Sequence, residues 1–300
     1  MAMYLLLSRI QVHNANAMSS PYTVGFPAMT AWLGAVHALE RKLNSEGFPD
    51  VHFSGVAVAS HTCDVQLYKG PGDYRYSIVG TANPLKKSNK TGEYERPPFI
   101  EEARCHLCVS LLIRTQGIDG RNMGVVNEIV TSLLWRMKIA GGDIEKIGNV
   151  ETVPVNAETD KDERSLLRRL MPSYVLVERR DLMIGESAED EDALMRLMNG
   201  LAVEFEAQDD GDSLIWKGKR RNDGWIVPIA VGFKAISGKV SAKHQRALEY
   251  DHYFAEPIVT LGEFRMPYHF QSIDEILWEY HTELEQGLYL CRNQNNVQNA

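Results

Sequence analysis

Residues 14–23 place Asn14, Asn16, Ser19, Ser20 and Thr23 within ten positions, five small side chains that hydrogen-bond readily. Amides and hydroxyls at this density suit a nucleic-acid backbone, whose phosphates and sugars are held by such groups and by backbone N–H. The same residue types also build ordinary turns by bonding to their own backbone. Nothing in the stretch resembles a catalytic centre. Side chains that could add charge or further hydrogen bonds are Arg9 ahead of the stretch, Lys86 and Lys87 further on, and then Arg104 and His106.

Periodicity gives the strands and helices expected to carry these residues. Residues 3–13 alternate as a strand, with Tyr4, Leu6, Ser8, Ile10 and Val12 on one face. Leu5, Leu7, Arg9, Gln11 and His13 fall on the other. Residues 27–43 read as a helix with Pro27 in the first turn, burying Met29, Trp32, Leu33, Val36, Leu39 and Leu43. A strand follows around 51–68. The stretch 69–99 is rich in Gly and Pro and carries Lys86, Lys87 and Lys90, the mark of a protruding hairpin or arm. Residues 101–116 form the second clear strand. Cys105, Leu107, Val109 and Leu111 point inward there, and Arg104, His106, Cys108 and Ser110 point the other way.

A helix over 121–139 is expected to end at Gly141-Gly142. Beyond it come a helix at 160–171, a strand at 173–179 and an acidic helix at 188–201. Strands at 225–233 and 257–266, a helix at 273–283 and an Asn-rich tail complete the chain. The order in the first half is that of an α+β, ferredoxin-like split βαβ fold, here one elaborated domain over 1–300. In that topology the first and third strands are neighbours. The polar sets Arg9, Gln11, His13 and Arg104, His106, Ser110 would then share a face of the kind RNA-recognition folds use, without their stacking aromatic pair.

Composition sets bounds. Of 300 residues, 44% are hydrophobic and 24% charged, which is ordinary for a globular protein. No apolar run reaches the roughly 18 residues that cross a bilayer, and Leu5–Leu7 lacks a basic lead-in, so a cytoplasmic chain without a membrane is expected. The net charge of −8 is uneven: residues 178–212 hold 12 acids and 3 bases, leaving about +1 for the other 265. An acidic insertion beside a near-neutral body leaves room for an RNA-binding surface.

Cofactor motifs are missing. There is no P-loop, no Gly-x-Gly-x-x-Gly after a strand, no Gly-x-Ser-x-Gly and no His-Glu-x-x-His. Cys105-x-x-Cys108 lies on a strand, where residues three apart face opposite sides and cannot share a metal. Neither metal nor cofactor is expected.

Ordered blocks along the chain resemble a known family. They begin with Asn14-Ala-Asn-Ala, Ser19-Ser20-Pro21, Gly25-Phe26-Pro27 and Val36-His37-Ala38-Leu39. Glu101-Glu102 with Arg104 and His106, Val109-Ser110-Leu111-Leu112, Ala140-Gly141-Gly142 and Arg168-Arg169-Leu170 with Pro172 follow. Gly224-Trp225, Val227-Pro228-Ile229, Leu261-Gly262-Glu263, Leu277-Trp278 and Gly287-Leu288-Tyr289 complete the set. Over about residues 5–290 the chain resembles the Cas-five-type subunit of the type I-F CRISPR surveillance (Csy) complex. The resemblance implies a RAMP-type ferredoxin-like core with a β-hairpin thumb, placed at 69–99, and a helical insertion. It implies a non-catalytic subunit that caps the crRNA 5′ handle, pairs with the large subunit and abuts the backbone subunits. Target DNA would be met only through the assembled complex, where base pairing supplies specificity. The RNA-contacting set expected from motif and strand face is Arg9, Asn14, Asn16, Ser19, Ser20, Arg104 and His106. Lys86 and Lys87 would reach from the arm.

Two other classes compete. A metal-independent endoribonuclease would need a general base and acid, for which His37 and His106 are candidates. For His37, among apolar helix neighbours, a buried, hydrogen-bonded ring is the expected state. A protein-only scaffold would leave Arg9, Asn14, Ser19 and Arg104 without any RNA role.

Overall fold

Four consecutive residues, Tyr4, Leu5, Leu6 and Leu7, are buried in the first strand, β1 (Ala2–Asn16). A strand buried on both faces needs a layer on each side. The structure, a computed structural model, describes residues 2–80, 85–96, 102–156, 160–184, 192–209, 214–241 and 249–293. On one side, Leu5 and Leu7 join the apolar stripes of α1 (Met29–Ser45) and α2 (Met123–Leu134). On the other, Tyr4 and Leu6 meet Leu166 and Leu167 of α3 (Asp160–Arg169) and the 3-10 turn Ile273–Ile276.

Among the described residues the main sheet has eleven strands, and its pairings are antiparallel. Its first part comprises β1, β2 (His52–Val65), β3 (Arg104–Gln116), β4 (Gly142–Lys146) and β5 (Val150–Val155). β1 lies between β3 and the β4–β5 pair, and β3 lies between β1 and β2. The second part comprises β6 (Tyr174–Glu178), then the separate two-stranded ribbon of β7 (Val203–Asp209) and β8 (Leu214–Arg220). β9 (Trp225–Ala235), β10 (Ala255–Arg265), β11 (Trp278–Glu283) and β12 (Leu288–Asn293) follow. From β2 the path runs through β6, β10, β9, β12 and β11. It returns to β2 where Trp278 faces Val56.

Trp278 seals that closure. It is fully buried, and its indole N–H donates to the Leu176 carbonyl at 2.8 Å. Arg114 binds across the same seam, to Ser54 Oγ at 3.0 Å, to Asp274 at 2.8 Å and to Glu279.

Several expectations give way. The helix expected over 121–139 stops at Leu134, and Lys138–Ile139 becomes a strand against β4. Gly141 is therefore not a helix cap. With Ala140 it forms a two-residue hairpin loop at φ 48° and 76°, the paired positive φ that a type I′ turn demands. The expected helix at 273–283 is a single 3-10 turn, capped by Ser272 and Glu275, followed by β11. In the acidic segment, α4 (Ala193–Leu201) starts after Asp192 and is followed by β7, while residues 185–191, which hold the start of the expected helix, lie outside the described residues. Asn293, assigned to the fraying tail, is a buried strand residue.

In the expected arm, 69–99, Ser77–Ile78 pairs with Leu67–Tyr68 just ahead of it, and Lys86–Lys87 pairs with Tyr94–Glu95. Residues 81–84 and 97–101 lie outside the described residues. No described helix is long and apolar enough to cross a membrane.

Candidate nucleic-acid interface

The pairing of β1 with β3 slips between Leu7 and Ile10 and again between Val12 and Ala15. Each slip adds one unpaired residue and reverses which side chains face the helices. So Leu5 and Leu7 share the helix-covered core with Ile10 and Val12, and after the second slip with Ala15. Strict alternation had set Leu5 and Leu7 opposite Ile10 and Val12. That assignment fails because the strand is bulged. The consequence concerns the far face: Tyr4 and Leu6 lie under α3, and beyond the first bulge Gln11 and His13 emerge exposed.

Arg9 is the bulged residue of the first slip, at φ 48°. That conformation costs a non-glycine residue roughly 1–2 kcal/mol, so the surroundings must hold it. Ser110 on β3 does so, its hydroxyl accepting from the Arg9 N–H at 3.0 Å. Gly148 lies against the bulge, where a Cβ would stand 2.6 Å from the Ser8 carbonyl oxygen. β2 has its own irregularity at this level, between Ser60 and Thr62. The His61 displaced there reaches Ser110 Oγ through Nε2 at 2.8 Å and the Pro172 carbonyl through Nδ1 at 2.6 Å.

The carbonyl can only accept, so Nδ1 carries the proton and Nε2 accepts the Ser110 hydroxyl proton. Burial lowers the His61 pKa below 6.5; the Pro172 carbonyl opposes that shift and the Arg9 charge adds to it. Arg9 itself is exposed, and its guanidinium makes no hydrogen bond or ion pair among the described residues. The bulge thus carries an exposed cation with no counter-charge among the described residues.

Asn14 occupies the second slip, at φ 59°, a region in which Asn is enriched. Its N–H donates to His106 Nδ1 at 3.3 Å, and its side-chain oxygen accepts from Gln66 at 3.3 Å. The Gln66 amide also lies 3.2 Å from His106 Nε2, and His13 stacks on the His106 ring at 4.5 Å. Asn14, His106, His13 and Gln66 thus form one polar cluster at the open end of the sheet face.

The remaining candidates divide. Asn16 closes a local turn with Met18, donating to its carbonyl and accepting from its N–H, both at 3.1 Å. Ser19 and Ser20 both bond to the Thr23 hydroxyl, at 2.8 and 2.7 Å, and Ser20 is buried. These hydroxyls hold the Met18–Ser20/Thr23–Val24 hairpin, so Ser20 faces into the fold. Arg104 sits opposite Asn16 on β3 and is ion-paired with Glu102. Lys86 and Lys87 are exposed on the arm, away from this cluster in sequence and in pairing. His37 is exposed on α1, not the buried histidine expected. Sequence reasoning passed over His61 and Gln66. A bulge has no composition signal, and these residues are recruited by bulges.

Cys105 is buried among the helices and Cys108 lies on the opposite face, as strand geometry requires. Among the described residues no group of three or more His, Cys, Asp or Glu is arranged to hold a metal.

A long bulged antiparallel sheet with a polar, cation-bearing open end describes a mixed α/β protein with a candidate polyanion surface. Comparison with known proteins gives the class: residues 5–291 match the family described as CRISPR-associated protein (Cas_Csy2). The chain belongs to this CRISPR-associated family. It is similar to CRISPR-associated protein Csy2 of Pseudomonas aeruginosa (strain UCBPP-PA14), at 32% identity over 327 residues. That alignment covers 99% of this chain and 97% of the relative.

Proposed function

We propose that this chain is the Cas-five-type, non-catalytic subunit of a type I-F CRISPR surveillance complex, holding the 5′ handle of the crRNA. The observation that carries the reading is Arg9, an exposed guanidinium without a described partner on a braced positive-φ bulge, beside the Asn14–His106 cluster. A phosphate at Arg9 with hydrogen bonds from the cluster is the positioning chemistry expected of backbone contacts. The β2, β3, β1, β4–β5 strand order with both helices on one face supports a ferredoxin-like RAMP core. The family assignment supports a large-subunit partner, backbone-subunit neighbours and contact with target DNA through the assembled complex.

The nuclease alternative finds less support. Both ring nitrogens of His106 have polar neighbours, and His37 projects from the helical layer on the other side of the sheet. The test is co-purification with the large subunit, then binding of labelled handle RNA across a salt series. A heterodimer with salt-sensitive handle binding and intact RNA is the expected result. A lone chain that cuts repeat RNA would replace this reading with the nuclease, and a heterodimer indifferent to RNA would leave a scaffold.

A further inference from the structure

Beside the Arg9 bulge lies a cavity of about 270 Å³ that the handle-binding reading does not use. One wall is the β2 irregularity, with His61 and Thr62; the others are Phe26, Tyr174, Trp225 and Phe264. The aromatic rings form a continuous set. Trp225 meets Tyr174 edge-on at 5.2 Å and Phe264 at 5.0 Å, and Phe26 meets Phe264 at 5.3 Å. Trp225 is nonetheless 48% exposed, which leaves indole surface open to a ligand.

No charged side chain lines this cavity among the described residues, whereas the Ser110 hydroxyl that braces the Arg9 bulge, accepting from its N–H at 3.0 Å, also bonds His61 on the cavity wall at 2.8 Å. The larger cleft of about 960 Å³ nearby differs, because its charges pair with one another, Arg179 with Glu263 and Asp181. An uncharged aromatic slot, just below the size that takes drug-like ligands, next to a free cation has the chemistry of a single nucleotide site. The planar base stacks and the phosphate pairs.

We propose that this cavity receives one unstacked base of the bound RNA, stacked on Trp225, with the neighbouring phosphate on Arg9. The inference rests on the handle-binding reading and adds to it a position at which a base, and not only the backbone, is held. His61, with both nitrogens engaged by Ser110 and Pro172, acts as a fixed wall and not as a base reader.

The test is an abasic scan. Handle RNAs derived from the repeat of the same locus, each lacking one base, are titrated against the full chain bound to its large subunit. One position should lose roughly tenfold in affinity on removal of its base, the scale of base–aromatic stacking. That loss should vanish in Trp225→Ala. It should vanish also in Thr62→Phe, which fills the cavity from an exposed position, with thermal unfolding confirming that both variants fold. Equal binding of all abasic handles, with Arg9→Ala still weakening the intact one, would overturn the pocket and leave handle binding standing. Handle affinity indifferent to salt and to Arg9→Ala would remove both. Variants that release the large subunit but bind RNA normally would assign the cavity to a protein side chain instead, and overturn the proposal.

Discussion

The far face of the central strands has two halves with opposite characters. In one, Tyr4, Leu6, Ala57, Ala59 and Leu112 are sealed beneath α3 and the Ile273–Ile276 turn. In the other, Gln11, His13 and Thr62 are exposed, and His106 and Cys108 are partly so. The same three strands supply both halves, and the change falls where Arg9 and His61 leave their ladders. A bulge thus lets one strand spend its first residues on a two-sided core and its last on a surface, with the helix-covered side continuous throughout.

Substitutions can break this contrast, and the greatest effect is expected in the sealed half. Leu112→Ala should cost about 2–5 kcal/mol, read by denaturant unfolding, because the leucine is wholly buried in the core beneath α3. At the boundary, Ser110→Ala leaves the Arg9 N–H and His61 Nε2 without their partner, at a cost of about 1–3 kcal/mol in the same measurement. Gly148→Ala presses on the Ser8 carbonyl and should also destabilise, by about 1–3 kcal/mol, while lowering handle affinity through displacement of Arg9.

His61 adds a smaller, pH-dependent effect. Its folded pKa is lowered, so the unfolded chain binds more protons once pH falls below the ordinary value of 6.5. Its contribution to stability is therefore full above that pH and declines as pH falls toward the folded pKa. Thermal melts at several pH values should show a shallower acid slope in His61→Gln than in the wild type. Smallest of all, Gln11→Ala in the open half should leave stability within about 0.5 kcal/mol.

The sequence made some of this legible. The α1 stripe Met29, Trp32, Leu33, Val36, Leu39 and Leu43 is buried as periodicity predicted, and Cys105, Leu107, Val109 and Leu111 of β3 face the helix-covered core as expected. β1 misled because periodicity assumes an unbroken ladder, and an arginine in a positive-φ bulge looks like any strand residue. Lys138–Ile139 misled in the opposite sense. Apolar spacing continues from α2 into it, but the Ala140-Gly141 turn recruits it to the sheet edge. In the site, Asn14 and His106 do come together, whereas Ser19 and Ser20 serve their own hairpin through Thr23. Small polar residues do not announce which of these two uses they will have; only the neighbour across the sheet decides it.

If the chain holds the crRNA handle as proposed, the bulge presents Arg9 to a phosphate of the RNA. The direct measurement is handle-RNA affinity across a salt series for the wild type and Arg9→Ala, each with its large subunit. Loss of one phosphate contact should reduce the slope of log affinity against log salt by about 0.7, with thermal stability unchanged. An unchanged slope and affinity in Arg9→Ala would mean that no phosphate rests on Arg9.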